Sequence, residues 1–530
     1  MKRFSSYGPI DKDLYYYAPR KEIIAKGYKQ LIGEYPTKGG HYFTVWAPRQ
    51  TGKTWIMQEV VDNIKQTGQY DIAIISMERA KEIIAEEEVM QILIEKLQIA
   101  FEKTLPPIKK ISELQRLFTK NYFQKPVILV LDEFDAMEEI FISRFAGIFR
   151  EIFIDRSNEK NKTSADKTWL LHGLALIGVR SVLGIENVKG SPFNVQRSLH
   201  VPNLTYDEVK GMFADYERES GQEVDEQVIR TLFDNTRGQP GLIGWFAELL
   251  TEGFEHYTND RNKPITMSNY DEVYGGATHI LPNNNILNLI SKVNKPPYDE
   301  IVVDFFKTGE KIEFKFNNKD INYLYMNGVI AEEKGDANTY YLRFSSPFVQ
   351  TSLFDYFSNR FFSYMGQLVH PLDDMKDAIN GETLSIPNII KRYRDYLQKN
   401  REAFFKNVPR RKTDLRIYEA IYHFNIYRYL YDLLSVRGVE VIPQFPTGNG
   451  KIDLLLKYRG NIHALELKSF KDKYRFEKGI EQAAQYGKQL ALKEIAYLVF
   501  VELGREEAKQ LEQEVDKNGV KVIVLSIGIL

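Results

Sequence analysis

Three groups of residues in this 530-residue chain have the types and spacing to do chemistry on phosphates. The first is Ala47-Pro48-Arg49-Gln50-Thr51-Gly52-Lys53-Thr54. Backbone N–H groups from Gln50 to Thr54 can curl around a β-phosphate, Lys53 can reach the β- and γ-phosphates, and the Thr54 hydroxyl can ligate Mg²⁺. Ala47 stands where the pattern G-x-x-x-x-G-K-[ST] has its first glycine, so the match rests on Gly52, Lys53, Thr54 and their flanks. The second group is Asp132-Glu133, closing the run VILVLDEFD. Asp132 would hold the hydration shell of the Mg²⁺, and Glu133 would orient or deprotonate an attacking water. The third is Asp453, Glu466 and Lys468, each a polar island in an apolar run. A buried unpaired charge is costly, and Mg²⁺ held by Asp453 and Glu466, with a backbone carbonyl near Leu467, would offset that cost. Lys468 could then orient or deprotonate the water and stabilise charge on a phosphoryl group.

The elements that must position these residues follow from periodicity. Tyr42, Phe43, Val45 and Trp46 make a strand ahead of the loop, and a helical pattern follows it to about Ile64. Tyr70 to Ser76 is the next strand, Glu82 to Glu102 a helix, Val127 to Asp132 a fully buried strand and Phe141 to Phe153 a helix. Strands and helices alternating at this spacing predict a parallel sheet with crossover helices. After a polar loop from Arg156 to Lys167, the strand Leu170 to Val179 ends just before Arg180, which could sense a γ-phosphate. Tyr15 to Ile24 puts aromatics and Pro-Arg before a helix, either to pack on a base or as a hydrophobic lead-in. Thr205 is a good N-cap for a helical region, and Gly238-Gln239-Pro240 makes a sharp turn opening another helix.

Towards the C-terminus, Leu415 to Ser435 is helical and carries Glu419 among aromatic and aliphatic residues. Three strands follow, Val439 to Phe445, Lys451 to Tyr458 and Ile462 to Phe470, turning at Gly448-Asn449-Gly450 and Arg459-Gly460-Asn461. Alternation puts Glu466 and Lys468 on one face of the third. A helix containing Gln482-Ala-Ala-Gln-Tyr486 and a strand from Ile495 to Val501 complete an α-β-β-β-α-β order. Between the halves, Ile390 to Lys412 mixes Lys and Arg with Tyr and Phe. It is open to two readings, phosphate contacts with stacked bases or an amphipathic linking helix with a solvated basic face. Pro409 would end any helix before it.

Composition bounds the reading. The formal net charge of −1 announces no global basic field, so any nucleic-acid surface must be local. With no cysteine there is no disulfide framework, thiolate metal site or cysteine nucleophile. The N-terminus lacks a signal-peptide core and no run of apolar residues is long enough to span a membrane. A soluble, cytoplasmic protein without membrane contact is expected.

The phosphate loop, the strand ending in Asp132-Glu133, Arg180 and the Gly238-Gln239-Pro240 turn, in that order, resemble the STAND and archaeal-type branch of AAA-like P-loop ATPases. The resemblance covers the first half of the chain. It implies ATP and Mg²⁺ as cofactors, Arg180 as first sensor, Pro240 touching the nucleotide from a helical lid, and a winged-helix module after the lid. Residues 286–358 suit that module, with a short helix from Asp320 to Asn327 and two strands after it. Its helix has few basic residues, which favours packing on the nucleotide domain over contact with DNA. The resemblance also implies a possible homo-oligomer with an arginine supplied in trans, for which Arg144, Arg150 and Arg197 are candidates. Asp453, Glu466 and Lys468 across a hairpin, after an acidic helix, resemble the core of the PD-(D/E)xK nuclease superfamily. Ile452 replaces the proline of that name. On that resemblance Glu419 is an extra metal ligand, Mn²⁺ can replace Mg²⁺, Gln482 faces the site and Tyr486 helps to place the substrate.

The reading is a multidomain α/β protein. A P-loop parallel sheet occupies residues 1–200, a helical lid 201–285, a winged-helix region 286–358, a basic and aromatic linker 359–413, and a restriction-endonuclease-like α/β domain 414–530. The expected activity is Mg²⁺-dependent hydrolysis of DNA, gated by ATP, an architecture that suits prokaryotic defence or mobile-element biology. RNA is an open alternative substrate. The rival is an ATP-dependent regulator whose nuclease-like domain grips nucleic acid and cuts nothing.

Overall fold

Among the described residues, apolar runs bounded by turns become the strands of two large sheets, one in each structural unit, and two short strand pairs add to them. The computed structural model describes residues 1–5, 8, 11–178, 197–307, 312–335, 338–362, 375–406, 408, 417, 419–447 and 450–530. Arg180, Pro409 and the turn at Gly448-Asn449 lie outside the described residues. One unit comprises Met1–Lys292 and Glu313–Ser346, the other Val293–Ile312 and Pro347–Leu530.

In the first unit, α1 (Lys21–Ile32) precedes β1 (Tyr42–Trp46), and α2 (Lys53–Lys65) leads to β2 (Asp71–Ser76). Then come α3 (Glu86–Phe101), β3 (Val127–Asp132), α4 (Glu139–Asn158), β4 (Leu171–Gly178) and β5 (Arg197–His200). The strands lie in the order β2-β3-β4-β1-β5, and every pairing is parallel. All six residues of β3 are buried, because helices cover both faces of a parallel sheet. Val60, Val61 and Ile64 of α2 share a core with Val45, Val130 and Ile177, while Leu93, Phe145 and Phe149 pack with Leu129 and Leu131 on the opposite face. The sheet is that of a P-loop NTPase, as the alternation of strands and helices predicts.

Four helices follow: α5 (Tyr206–Ser220), α6 (Glu226–Thr236), α7 (Pro240–Glu252) and α8 (Met267–His279). Thr205 starts α5 with a capping box: its hydroxyl accepts the Glu208 N–H at 3.2 Å, and the Glu208 carboxylate accepts the Thr205 N–H at 2.8 Å. The N-terminal Pro-Arg element ties this helical layer down. Arg20 Nε lies 3.0 Å from Glu208 Oε1, and its Nη2 donates to Pro202 O at 2.9 Å. Phe4 and Tyr16 pack on Phe213 and Tyr216 with centroids 5.0 and 5.8 Å apart. Arg20 thus serves as a clasp, a role that neither sequence alternative for this segment contains.

The segment expected as a single winged-helix domain is divided between the units. α9 (Asn284–Val293) closes the first stretch of the first unit, and α10 (Tyr298–Lys307) belongs to the second. The short helix α11 (Lys319–Met326) and the hairpin β6 (Ile330–Lys334) and β7 (Tyr340–Phe344) belong to the first unit again. α12 (Pro347–Phe362) belongs to the second. The physical reason is aromatic: Phe306 of α10 and Phe354 of α12 pack on each other and on Phe424, with centroids 4.7 to 5.7 Å apart.

The rest of the second unit begins with the two-residue strands β8 (Ile379–Asn380) and β9 (Thr383–Leu384), then α13 (Ile386–Lys399) and α14 (Arg401–Lys406). The apolar face of α13 is buried, Tyr393 and Tyr396 included, and Tyr393 Oη donates to Asn425 Oδ1 at 2.8 Å. Arg394 donates to Ser526 O at 2.8 Å, and Arg392 pairs with Asp377 at 2.8 Å. Those rings are core and those guanidinium groups are engaged, so this helix follows the amphipathic alternative and its rings are not open to stack on bases.

Then come α15 (Glu419–Leu434), β10 (Glu440–Thr447), β11 (Gly450–Tyr458), β12 (Asn461–Ser469), α16 (Lys473–Gln489), β13 (Glu494–Val501), α17 (Arg505–Ala508), β14 (Gln513–Lys517) and β15 (Val520–Gly528). The sheet order is β10-β11-β12-β13-β15-β14, antiparallel through β12, parallel from β12 to β15, with β14 antiparallel at the edge. Arg459 and Gly460 turn between β11 and β12 with φ of 48° and 81°, as a two-residue hairpin of this twist requires. α16 buries Ile480, Ala483 and Ala484 against Ile452, Tyr497 and Val499.

Candidate functional site

The first site is built where β1 and β3 end. Gly52 adopts a left-handed φ of 84° and Gln50 one of 56°, which lets the loop curl before α2 begins at Lys53. Lys53 Nζ donates to Ala47 O at 2.9 Å and to Pro48 O at 2.8 Å, and Thr51 Oγ1 donates to Pro48 O at 2.9 Å. Burial lowers the Lys53 ammonium to about 8, against the attraction of Asp135, Glu133 and Asp132. Thr54 Oγ1 donates to Asp132 Oδ2 at 2.6 Å, so the two oxygen groups expected around Mg²⁺ meet. Glu133 turns through a φ of 50°, and its N–H donates to Asp132 Oδ1 at 2.9 Å. Burial, reinforced by Asp132 and Asp135, raises its carboxyl above the ordinary glutamate value, as suits a proton acceptor.

Other elements of the same unit press on this loop. α7 opens at Pro240, and the Gln239 side chain both accepts the Leu242 N–H at 2.5 Å and donates to Arg49 O at 3.1 Å. The Gly241 N–H donates to Gln50 O at 3.0 Å, and a Cβ on Gly241 would stand 2.6 Å from the Gln50 side chain. From the other side, Tyr325 of α11 lies 5.9 Å from the Trp46 ring, and a Cβ on Gly328 would stand 2.8 Å from Pro48. Pro48, Arg49, Gln50, Thr51, Gly52, Lys53, Thr54, Asp132, Glu133 and Pro240 therefore gather around one loop. Arg144 is paired with Glu86 at 2.7 Å and Arg197 with Glu34 at 3.3 Å, while the Nε of Arg150 is buried without a partner.

The second site lies between α15 and the second sheet. Asp453 of β11 and Glu466 of β12 are buried, at 8% and 0% exposure. The Leu467 N–H donates to Asp453 Oδ2 at 2.8 Å. Lys468 Nζ stands 2.8 Å from Glu466 Oε1 and 3.5 Å from Asp453 Oδ2, so an ammonium lies between the carboxylates. Neither oxygen of Glu466 accepts a well-aligned hydrogen bond. Burial, with Asp453 adding to it, pushes the Glu466 carboxyl up to about 8. Burial works against charge on Asp453 as well, but Lys468 and His423 hold it below the usual carboxylate range. Lys468, although burial opposes its charge, is raised well above an ordinary lysine by Asp453, Glu466 and Glu419. Glu419 Oε2 accepts the Ser469 N–H at 2.9 Å, and Gln482 Nε2 donates to Tyr486 Oη at 2.8 Å.

Two buried carboxylates sharing one ammonium are a donor set that fits a hard divalent cation. Among the described residues no three His, Asp or Glu side chains already converge as a metal group, and Lys468 supplies the positive charge at this centre instead. Sequence reading passed over His423, whose Nδ1 is 3.7 Å from Asp453 Oδ1. A lone histidine in an aromatic helix reads as core, and its spacing of four from Glu419 is the signal that places both on one face.

Residues 6–255 match the family model described as an AAA-like domain, so the N-terminal region is an AAA-like P-loop domain. No curated protein matches the chain in sequence. Among solved structures, the Walker-type ATPase PABY2304 of Pyrococcus abyssi is similar at 16% identity and a TM-score of 0.39, over 66% of this chain and 98% of that one. Cdc6p from Pyrobaculum aerophilum is similar at 14% identity and a TM-score of 0.36, over 63% of this chain and 93% of that one. The Aeropyrum pernix ORC1 protein, solved in complex with DNA, is similar at 13% identity and a TM-score of 0.31, over 63% of this chain and 92% of that one. Among the described residues no helix is long and apolar enough to cross a membrane.

Proposed function

We propose that this protein is an ATP-gated nuclease that hydrolyses phosphodiester bonds in DNA with a divalent cation, Mg²⁺ or Mn²⁺, at Asp453 and Glu466. The observation that carries the reading is the fully buried Glu466 carboxylate beside the buried Asp453 carboxylate, with the one ammonium of Lys468 between them, 2.8 Å from Glu466 Oε1 and 3.5 Å from Asp453 Oδ2. Two buried carboxylates sharing one ammonium are costly in a packed core, and a bound cation would offset that cost. Glu419, the first residue of α15, is the further candidate ligand. A cation bound there would draw charge from the phosphodiester and ease ionisation of a water. Lys468, held as an ammonium, would stabilise the charge that develops as water adds to phosphorus and the P–O ester bond breaks. Gln482 and Tyr486, already joined, would position the substrate.

In the AAA-like domain, ATP would replace the carbonyls of Ala47 and Pro48 as the partner of Lys53. Thr54 and Asp132 would hold Mg²⁺, which supplies charge to the β- and γ-phosphates, and Glu133 would accept the proton of the attacking water. Pro240 would contact the nucleotide from α7, and Arg180, outside the described residues, would sense the γ-phosphate. Homo-oligomers with an arginine acting in trans belong to this proposal.

The test is cleavage of linear, circular and single-stranded DNA, and of RNA, with Mg²⁺ or Mn²⁺, by wild type, Lys468→Ala and Glu466→Gln. Cation-dependent cutting that falls at least about 100-fold in both variants is expected, since each removes a charged group from the centre. A second reading, a nucleic-acid-binding regulator that cuts nothing, is favoured by the ammonium of Lys468 between the two carboxylates. Binding of DNA without cutting of any substrate under any of these conditions would select it.

A further inference from the structure

One buried polar side chain beside the second site has no part in the chemistry proposed above. Glu419 and His423 lie one helical turn apart, on one face of α15. Glu419 reaches the end of β12 through the Ser469 N–H, at 2.9 Å. His423 is 4% exposed, and its Nδ1 faces Asp453 Oδ1 of β11 at 3.7 Å. Its other nitrogen, Nε2, is buried with no hydrogen-bond partner. The second oxygen of Asp453 is fixed separately by the Leu467 N–H at 2.8 Å. An imidazole kept in a helix that otherwise buries Phe424, Ile426 and Tyr427 carries a desolvation cost that leucine would avoid. A gap of 3.7 Å exceeds a hydrogen bond, and a movement of about 0.7 Å closes it.

We infer that His423 is a positioning residue for the divalent-cation centre: by drawing its Nδ1–H toward Oδ1 it sets the rotation of the Asp453 carboxylate and so the affinity for Mg²⁺ or Mn²⁺. The inference rests on the nuclease reading. It makes α15 the element that grips the centre from above, Glu419 on the backbone after Lys468 and His423 on the carboxylate of the adjacent strand. Groups that orient a ligand in this way change metal affinity about 10- to 100-fold when removed.

The test uses the full chain and Mn²⁺ alone, without nucleotide or nucleic acid, read by calorimetry and by the electron spin resonance of free Mn²⁺. Asp453→Asn identifies the share of binding that belongs to this centre. His423→Leu, folded by circular dichroism, is expected to weaken that share about 10- to 100-fold, and His423→Asn, whose Nδ2 stands near the place of Nδ1, to restore most of it. In cutting assays the cation concentration at half-maximal rate should move by the same factor, with the rate at saturating cation little changed. If His423→Leu does not fold, the comparison of His423→Asn with His423→Gln decides. Tight binding in the first and weak binding in the second is expected, because Gln places its donor near Nε2, and the reverse overturns the inference. Wild-type affinity in His423→Leu overturns it and leaves the nuclease reading standing, as does equal loss in the Leu and Asn variants. Absence of any Asp453-dependent Mn²⁺ binding in wild type overturns the nuclease reading and the inference with it.

Discussion

Lys53 is held by two carbonyls of its own loop, and those are the bonds a polyphosphate must replace. Lys53→Ala should weaken ATP binding about 30- to 100-fold, the loss of about 2–3 kcal/mol of charge-assisted hydrogen bonding, measured by titration with a fluorescent ATP analogue. A second residue-scale prediction concerns His172, which is 1% exposed, with Nδ1 2.6 Å from Ser164 Oγ and Nε2 2.9 Å from Ile32 O. Burial lowers its imidazole from 6.5 to about 4. Between those values the unfolded chain binds a proton that the folded chain does not. Stability is therefore intact above pH 6.5 and falls by about 3 kcal/mol as pH drops to 4. Thermal melts from pH 7 to 4 should show a shallower acid loss in His172→Gln than in wild type, and equal slopes would contradict the assignment. Asp132, Asp453, Glu466 and Lys468 were legible in the sequence because each interrupts or ends an apolar run, and Lys53 and Thr54 because they follow Gly52 between a strand and a helical pattern. His423 and Arg20 were not, because their partners come from elements distant in sequence, Asp453 and Glu208.

At the scale of elements, α7 touches the loop before Lys53, through Gln239 on Arg49 O and Gly241 on Gln50 O. Gly241→Val would drive a side chain into Gln50, and overpacking of this kind costs about 1–3 kcal/mol. ATP affinity should fall about tenfold although no phosphate-binding residue is changed, and unchanged affinity would show that α7 does not shape the loop. The alternation of strands and helices along the chain followed from periodicity, because a strand buried on both faces and a crossover helix write different patterns, whereas the spatial order of the strands did not. The fate of α13 did not follow. A helix with Tyr393 and Tyr396 on its apolar face and Arg392 and Arg394 flanking it reads alike whether that face meets bases or core. Only the packing of those rings decides it.

For the whole molecule, the same limit explains why one winged-helix segment was expected where the chain divides between two units. Local pattern marks helices and hairpins, but which unit buries them depends on the aromatic faces they meet, as with Phe306, Phe354 and Phe424. ATP with Mg²⁺ at 100 times its dissociation constant should stabilise the first unit by about 2.7 kcal/mol. Hydrogen exchange should then slow at residues 42–57, 127–136 and 238–245, and exchange unchanged at all three would contradict a nucleotide site there. The most direct test of the account is the rate of DNA cutting with Mg²⁺ as ATP is varied, in wild type and in Lys53→Ala. The account predicts a wild-type rate that changes with ATP and saturates at the binding affinity, and a Lys53→Ala rate that ignores ATP. A cutting rate independent of ATP in both proteins, or no cutting in either, would contradict it.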